Sequence, residues 1–260
     1  MPPGAASTPG EAGRWWLVLP AAGFGRRMGS DTPKQYMRLG GRSVLDLTIS
    51  RFLGLPGLAG IVLVAAPDAP PEAVRAVDAG DIPVRLVAGG ATRAESVRNG
   101  LALFRDRCDE LAPDGGPSGG PGGGLGEWVM VHDAARPCVR PADVQRLLDT
   151  ASGPDGALLT TPVRDTIKRI DASGRVAATV DRRPLVHALT PQLFPAGVVL
   201  EALERAAAAG REVTDESSAM EQAGLSPRAV EAAADNLKIT HPEDIAIARA
   251  ILRQQGVLDD

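Results

Sequence analysis

The sequence predicts an α/β fold: a Rossmann-like, mostly parallel sheet with helices on both faces and a projecting β-hairpin arm. Two patterns carry that expectation. From residue 15 to residue 161, short apolar runs alternate with stretches of helical spacing, the rhythm of parallel strands joined by crossover helices. The rhythm breaks at 162–192, where VRDTIKRI and GRVAATVDR flank a turn at Asp171 to Gly174, as in an antiparallel hairpin. The chain has 260 residues and is 44% apolar, enough for one sizeable core. Aromatic residues are scarce, so Leu, Val, Ile and Ala must fill it.

The elements follow in order. Trp15 to Pro20 is apolar and ends in glycines, as a buried first strand would. Gly41 to Leu53 opens with a turn and then spaces Val44, Leu45, Leu47, Ile49 and Phe52 for a helix. Strands are expected at Ile61 to Ala66 and Val84 to Ala88, with a short helix at Pro71 to Ala79 between them. A helix is expected from Arg93 to Cys108. The stretch DELAPDGGPSGGPGGGLG at 109–126 holds eight glycines and three prolines; it cannot pack a core and reads as a flexible surface insertion without a catalytic role. Trp128 to Val131 is the next strand, Pro141 to Thr150 a helix with proline at its start, and Ala157 to Thr161 a further strand. After the hairpin come helices at Pro195 to Ala209 and Glu216 to Ala223. A strand at Asn236 to Thr240 and a helix at Pro242 to Gln255, capped by Thr240 or its neighbours, close the chain. The expected organisation is a disordered tail at 1–14, one domain at 15–255 with an arm at about 162–185, and a short tail at 256–260. The arm would leave strand edges uncovered, and a second subunit is the simplest cover.

Composition excludes several classes. A net charge of −4 without a basic tract argues against a general nucleic-acid binder. Cys108 and Cys138 form neither a disulfide framework nor a metal-spacing motif. No apolar run is long enough to span a membrane. The first fourteen residues lack the basic start and apolar run of a signal peptide, so a cytoplasmic protein is expected.

Chemistry in such sheets gathers beyond the carboxyl ends of the strands. Three polar stretches fall there: 21–34, 89–96 and 132–137. The first belongs to PAAGFGRRMGSDTPKQY. It lacks the GK[ST] ending of a Walker loop, and Gly23, Gly25 and Gly29 are spaced wrongly for a dinucleotide fingerprint. Its glycines still let backbone amides approach a phosphate, while Arg27 and Lys34 supply charge. Clustered cations suit a triphosphate whose charge shifts onto leaving pyrophosphate. In HDAARP, Asp133 follows the end of a strand, where one carboxylate can hold Mg²⁺ against phosphate oxygens. Arg136 can grip an anion bidentately. His132 reads as a structural or supporting residue, with direct substrate contact as the alternative. Arg164 and Lys168 lie on the arm, Arg182 follows it, and Lys238 alternates with Leu237 and Ile239.

The ordered set PAAGFGRRMGSDTPKQY, GGATRAESV, VHDAARP, PVRDTIKR, TVDR, HALTPQLF, TDESSAME and DNLKIT closely resembles the 2-C-methyl-D-erythritol 4-phosphate cytidylyltransferases of the nucleotidyltransferase superfamily. The likeness spans roughly residues 15–255. It implies transfer of the cytidylyl group of CTP to methylerythritol phosphate, with Mg²⁺, in non-mevalonate isoprenoid synthesis. Arg27 and Lys34 would stabilise the transition state and Asp133 would help hold the metal. Ala21, Ala22, Gly23, Gly90, Arg93 and Ser96 would bind the nucleotide. Arg136, Asp165, Thr166, Arg182 and Lys238 would bind the acceptor, with Thr166 and Arg182 reaching a neighbour's site in a homodimer. Ala91 stands where the family often carries an acidic or polar residue. The alternative is a cytidylyltransferase for another polyol phosphate such as ribitol 5-phosphate; PVRDTIKR and HALTPQLF favour methylerythritol phosphate.

Overall fold

A computed structural model of the chain describes residues 13–23, 32–67, 69, 77–106, 125 and 127–259. Trp15–Ala21 forms β1 at the heart of the sheet. Its side chains alternate between two cores. Trp15, Leu17 and Leu19 pack on one face, Trp16 and Val18 on the other, as expected of a strand covered on both sides. Leu58–Ala65 (β4) and Trp128–Val131 (β6) flank β1 in parallel. Val84–Ala88 (β5) extends the sheet beyond β4. On the other side lie Val186–Pro195 (β10), Ala157–Pro162 (β7) and Arg228–Glu231 (β11). The order among the described residues is β11-β7-β10-β6-β1-β4-β5. Here β10 runs antiparallel to both neighbours, and β11 parallel to β7.

The helices divide between the two faces. Val44–Ser50 (α1) and Pro141–Thr150 (α3) bury Leu45, Ile49, Val144 and Leu147 against the Leu17 face. Arg93–Asp106 (α2), Ala196–Ala208 (α4) and Glu216–Gln222 (α5) cover the Trp16 face. Gly100 lets α2 lie close to the sheet, because a Cβ there would come within 2.7 Å of Val64 Cγ2. A smaller core joins Leu39, Val44, Cys138 and Ile239 to Ala248 and Leu252 of Asp244–Gln254 (α6). That core holds together three segments that carry site residues. Arg38–Leu39 (β2) and Arg42–Ser43 (β3) make a minute hairpin ahead of α1. Ile167–Ile170 (β8) and Val176–Val180 (β9) form a separate antiparallel pair, the arm.

The alternating α/β rhythm and the hairpin are both present. Four expectations change. Asn236–Thr240 is an irregular segment rather than a strand. Ile239 N–H donates to Ala135 O at 2.9 Å, but the neighbouring backbone is a loop that cannot continue a ladder. The strand β10 went unforeseen because Pro191 and Pro195 interrupt a strand-like reading. The strand β11 was missed because RAVE is short and half polar. Finally, α6 is not capped by Thr240. The Asp244 carboxylate in its first turn accepts the backbone N–H groups of Thr240 and His241, each at 2.8 Å. Of the helix expected at Pro71 to Ala79, residues 77–79 are irregular and the rest lies outside the described residues. So do most of the 109–126 insertion and the tail at 1–12.

Candidate active site

Beyond the carboxyl end of β6, several loops meet at a cavity of about 270 Å³ whose walls include Arg93, Asp133, Arg136, Thr190, Asp215 and Lys238. Asp133, two residues past β6, is its electrostatic centre, with its side chain only 9% exposed. One oxygen accepts from Arg93 Nε at 2.9 Å, and the other from Lys238 Nζ at 2.9 Å and Arg136 Nε at 3.2 Å. Burial alone would raise the Asp133 pKa. The charges of Arg93, Lys238 and Arg136 overcome that and hold the carboxyl well below the ordinary range. Arg136 is anchored further by donating Nη1–H to Asn236 O at 2.7 Å.

Side chains around the cluster fix its geometry. The Asp133 N–H donates to Thr190 Oγ1 at 3.1 Å, and this hydroxyl lies 3.0 Å from His132 Nδ1. His132 Nε2 lies 3.1 Å from Arg136 O. A neutral ring with its proton on Nε2 satisfies both contacts, Thr190 donating to Nδ1. Burial drives the His132 pKa down to about 4. Stability tied to this ring is therefore full above its ordinary value of 6.5 and falls as pH drops toward 4, because the unfolded chain takes up the proton first. Wild type should lose about 2 to 3 kcal/mol between about pH 7.5 and about pH 4.5 through this group. Urea unfolding at the two pH values should show that loss in wild type and not in a His132→Gln variant.

The residues expected at the nucleotide come together. Gln35 donates to Ala21 O at 2.6 Å and to Gly23 O at 3.3 Å, tying the 34–36 turn to the end of β1. Lys34 Nζ donates to Ile239 O at 2.8 Å, beside the segment that carries Lys238. Gly89 packs against Ala22, where a Cβ would stand 2.3 Å from the alanine methyl. Gly90 N–H donates to Ser96 Oγ at 3.1 Å, and Thr92 Oγ1 accepts from Glu95 N at the start of α2. Ala91 uses its backbone N–H to donate to the Glu95 carboxylate at 2.8 Å. Arg27 lies outside the described residues.

The arm residues are not brought to this cavity. Asp165, Thr166 and Arg182 are exposed and line none of its wall. Arg182 donates to the carbonyl of Arg164 at the root of the arm. Beside them, Ile170 and Val176 are each 63% exposed and Val186 is 49% exposed, a large apolar show for so small a hairpin.

Comparison with known proteins decides the family. The sequence profile of 2-C-methyl-D-erythritol 4-phosphate cytidylyltransferase matches residues 16–111 and 122–254, passing over only the middle of the glycine-rich stretch. The chain belongs to this family. Curated members include that of Ectopseudomonas mendocina, 49% identical over 237 residues covering 91% of this chain and 94% of the relative. The Aeromonas hydrophila member is 45% identical over 239 residues, covering 92% and 90%. Among solved structures, the Thermus thermophilus enzyme superposes with a TM-score of 0.69 at 30% identity, covering 92% of this chain and 99% of that one. Family membership gives the cation cluster on Asp133 its context: a phosphate-rich substrate pair.

Five residues that shape the site gave no clear signal in the sequence. Thr190, Gln192 and Asn236 look like ordinary polar residues until β10 and the 236–240 segment are placed. Gln35 reads as part of a loop. Glu216 sits in the first turn of a helix, where an acid is expected on dipole grounds alone, yet it is fully buried. Among the described residues no group of three His, Cys, Asp or Glu side chains could hold a metal unaided, and no helix is long and apolar enough to cross a membrane.

Proposed function

We propose that the protein transfers the cytidylyl group of CTP to 2-C-methyl-D-erythritol 4-phosphate, giving 4-CDP-2-C-methyl-D-erythritol and pyrophosphate. The convergence of Arg93, Arg136 and Lys238 on one cavity, with Lys34 tethered beside it, in a chain of this family carries the reading. An oxygen of the acceptor phosphate bonds to the α-phosphorus of CTP, and the bond from that phosphorus to the bridging oxygen breaks. The electron pair leaves with pyrophosphate. The nucleophile is already an anion, so the site needs alignment and charge stabilisation rather than a strong base. Lys34 and Arg27 serve the α-phosphate, and Arg136 and Lys238 hold the acceptor phosphate. Ala21 to Gly23, Gly90 and Ser96 present backbone and hydroxyl groups to the nucleotide.

The donor set fits Mg²⁺ without a dedicated cage, since this ion keeps waters and takes one or two carboxylates plus phosphate oxygens. Asp133 would hold it, and the ion would offset charge on the triphosphate. Pyrophosphate release from purified protein should require CTP, Mg²⁺ and methylerythritol phosphate together. Release that needs no acceptor would contradict the reading.

The exposed arm supports a homodimer in which Asp165, Thr166 and Arg182 complete the neighbour's acceptor site, covering Ile170 and Val176 at the same time. Coexpression of Lys34→Ala and Arg182→Ala chains tests this. Each mixed dimer would hold one intact site, so a random mixture should recover about a quarter of wild-type activity. Two inactive variants that stay inactive together would place the arm in its own subunit's site.

A further inference from the structure

We propose that Glu216 is a positioning residue for the nucleotide: it locks the Arg93 guanidinium so that one edge of the fork faces Asp133 and the cavity. The inference rests on the nucleotide-binding reading of Arg93 above. Glu216 is fully buried, at 0% exposure. Both of its oxygens are spent on Arg93, accepting from Nη1 at 2.7 Å and Nη2 at 3.1 Å. The remaining nitrogen, Nε, donates to Asp133 at 2.9 Å. Three of the five N–H donors of Arg93 are therefore committed, and the orientation of its plane is set.

Glu216 does not itself line the cavity, whereas Arg93 and Asp133 do; it stands behind the cation rather than beside the substrate. Its place is fixed from the sheet. Gln192 of β10 donates to Asp215 at 2.8 Å and accepts the Ser217 N–H at 2.8 Å, while Asp215 caps α5 by accepting from Ser218 N at 2.9 Å.

Among the described residues, Arg136 and Lys238 have no second carboxylate of this kind. Three cations thus share Asp133, and Glu216 keeps one of them from taking the whole carboxylate. Without that counter-charge, Arg93 is free to turn both fork nitrogens onto Asp133 and crowd out the other two. An incoming triphosphate would then meet a rearranged cluster.

The test measures CTP binding by calorimetry in MgCl₂ without acceptor, together with kcat and KM for CTP. In Glu216→Gln, CTP affinity should fall by about tenfold to a hundredfold, the range seen when a partner that orients a ligating group is lost. The rise in KM for CTP should exceed the fall in kcat, since most of the loss is in binding the nucleotide. Arg93→Lys cannot span both carboxylates and should lose affinity similarly. The double variant should be no weaker than Arg93→Lys alone. Thermal melts establish that each variant is folded. If Glu216→Gln does not fold, Glu216→Asp keeps the charge but retracts it by one methylene, and should show the same affinity loss in a folded protein. A folded variant at 216 with wild-type CTP affinity, or additive losses in the double variant, overturns the proposal. Wild type that binds CTP but releases no pyrophosphate with methylerythritol phosphate sinks the functional reading instead and leaves the clamp standing.

Discussion

Asp133→Asn should cost at least about 10³-fold in kcat, more than the loss of any single charge-stabilising donor. It should also destabilise the fold by about 3 kcal/mol, the low end for breaking a buried ion pair. The reason is the same for both effects. One carboxylate balances Arg93, Arg136 and Lys238, and asparagine keeps its shape but not its charge. Arg93 retains Glu216, and Lys238 is 38% exposed, so the stability loss stays at the low end. Steady-state kinetics together with urea unfolding would check it. A variant with wild-type stability and near-normal turnover would remove Asp133 from the centre of the site.

Lys34→Ala should lower kcat by about 10² to 10³-fold, the scale of one lost transition-state donor, with little change in KM for either substrate. An interaction made only in the transition state lowers kcat and kcat/KM together. The tether to Ile239 O at 2.8 Å draws Lys34 toward the Lys238 segment, where the acceptor phosphate would approach. Lys34→Arg should not rescue activity, because a rigid fork cannot replace a compact ammonium at the same carbonyl. An unchanged kcat in Lys34→Ala would show that the lysine serves only to fasten the turn.

The layered sheet was legible because burial on both faces leaves long apolar runs: Trp15 to Leu19, Ile61 to Ala65 and Trp128 to Val131 all read as strands. The hairpin was legible from branched residues on both sides of the turn at Asp171 to Gly174. What stayed hidden depends on contacts far apart in sequence. Nothing local in PQLFP announces an antiparallel strand between β6 and β7. Equally, the 236–240 segment has strand-like alternation, but the one backbone bond it makes across to another segment is from Ile239 to the loop at Ala135, among the described residues. The site divides in the same way. Asp133, Arg136 and Lys34 could be singled out by residue type and by their place after a strand. Glu216 and Thr190 could not, since a buried acid at a helix start looks the same in sequence as a solvated one. The partners that distinguish them, Arg93 and His132, lie 123 and 58 residues away.

The most direct test of the functional reading is acceptor choice. Purified protein with CTP and Mg²⁺ is offered methylerythritol phosphate and ribitol 5-phosphate in separate reactions, and pyrophosphate release is followed to obtain kcat/KM for each. A kcat/KM at least about a hundredfold higher for methylerythritol phosphate is expected, the discrimination available to a site built around specific polar contacts. Equal use of the two acceptors, or a preference for ribitol 5-phosphate, would contradict the account.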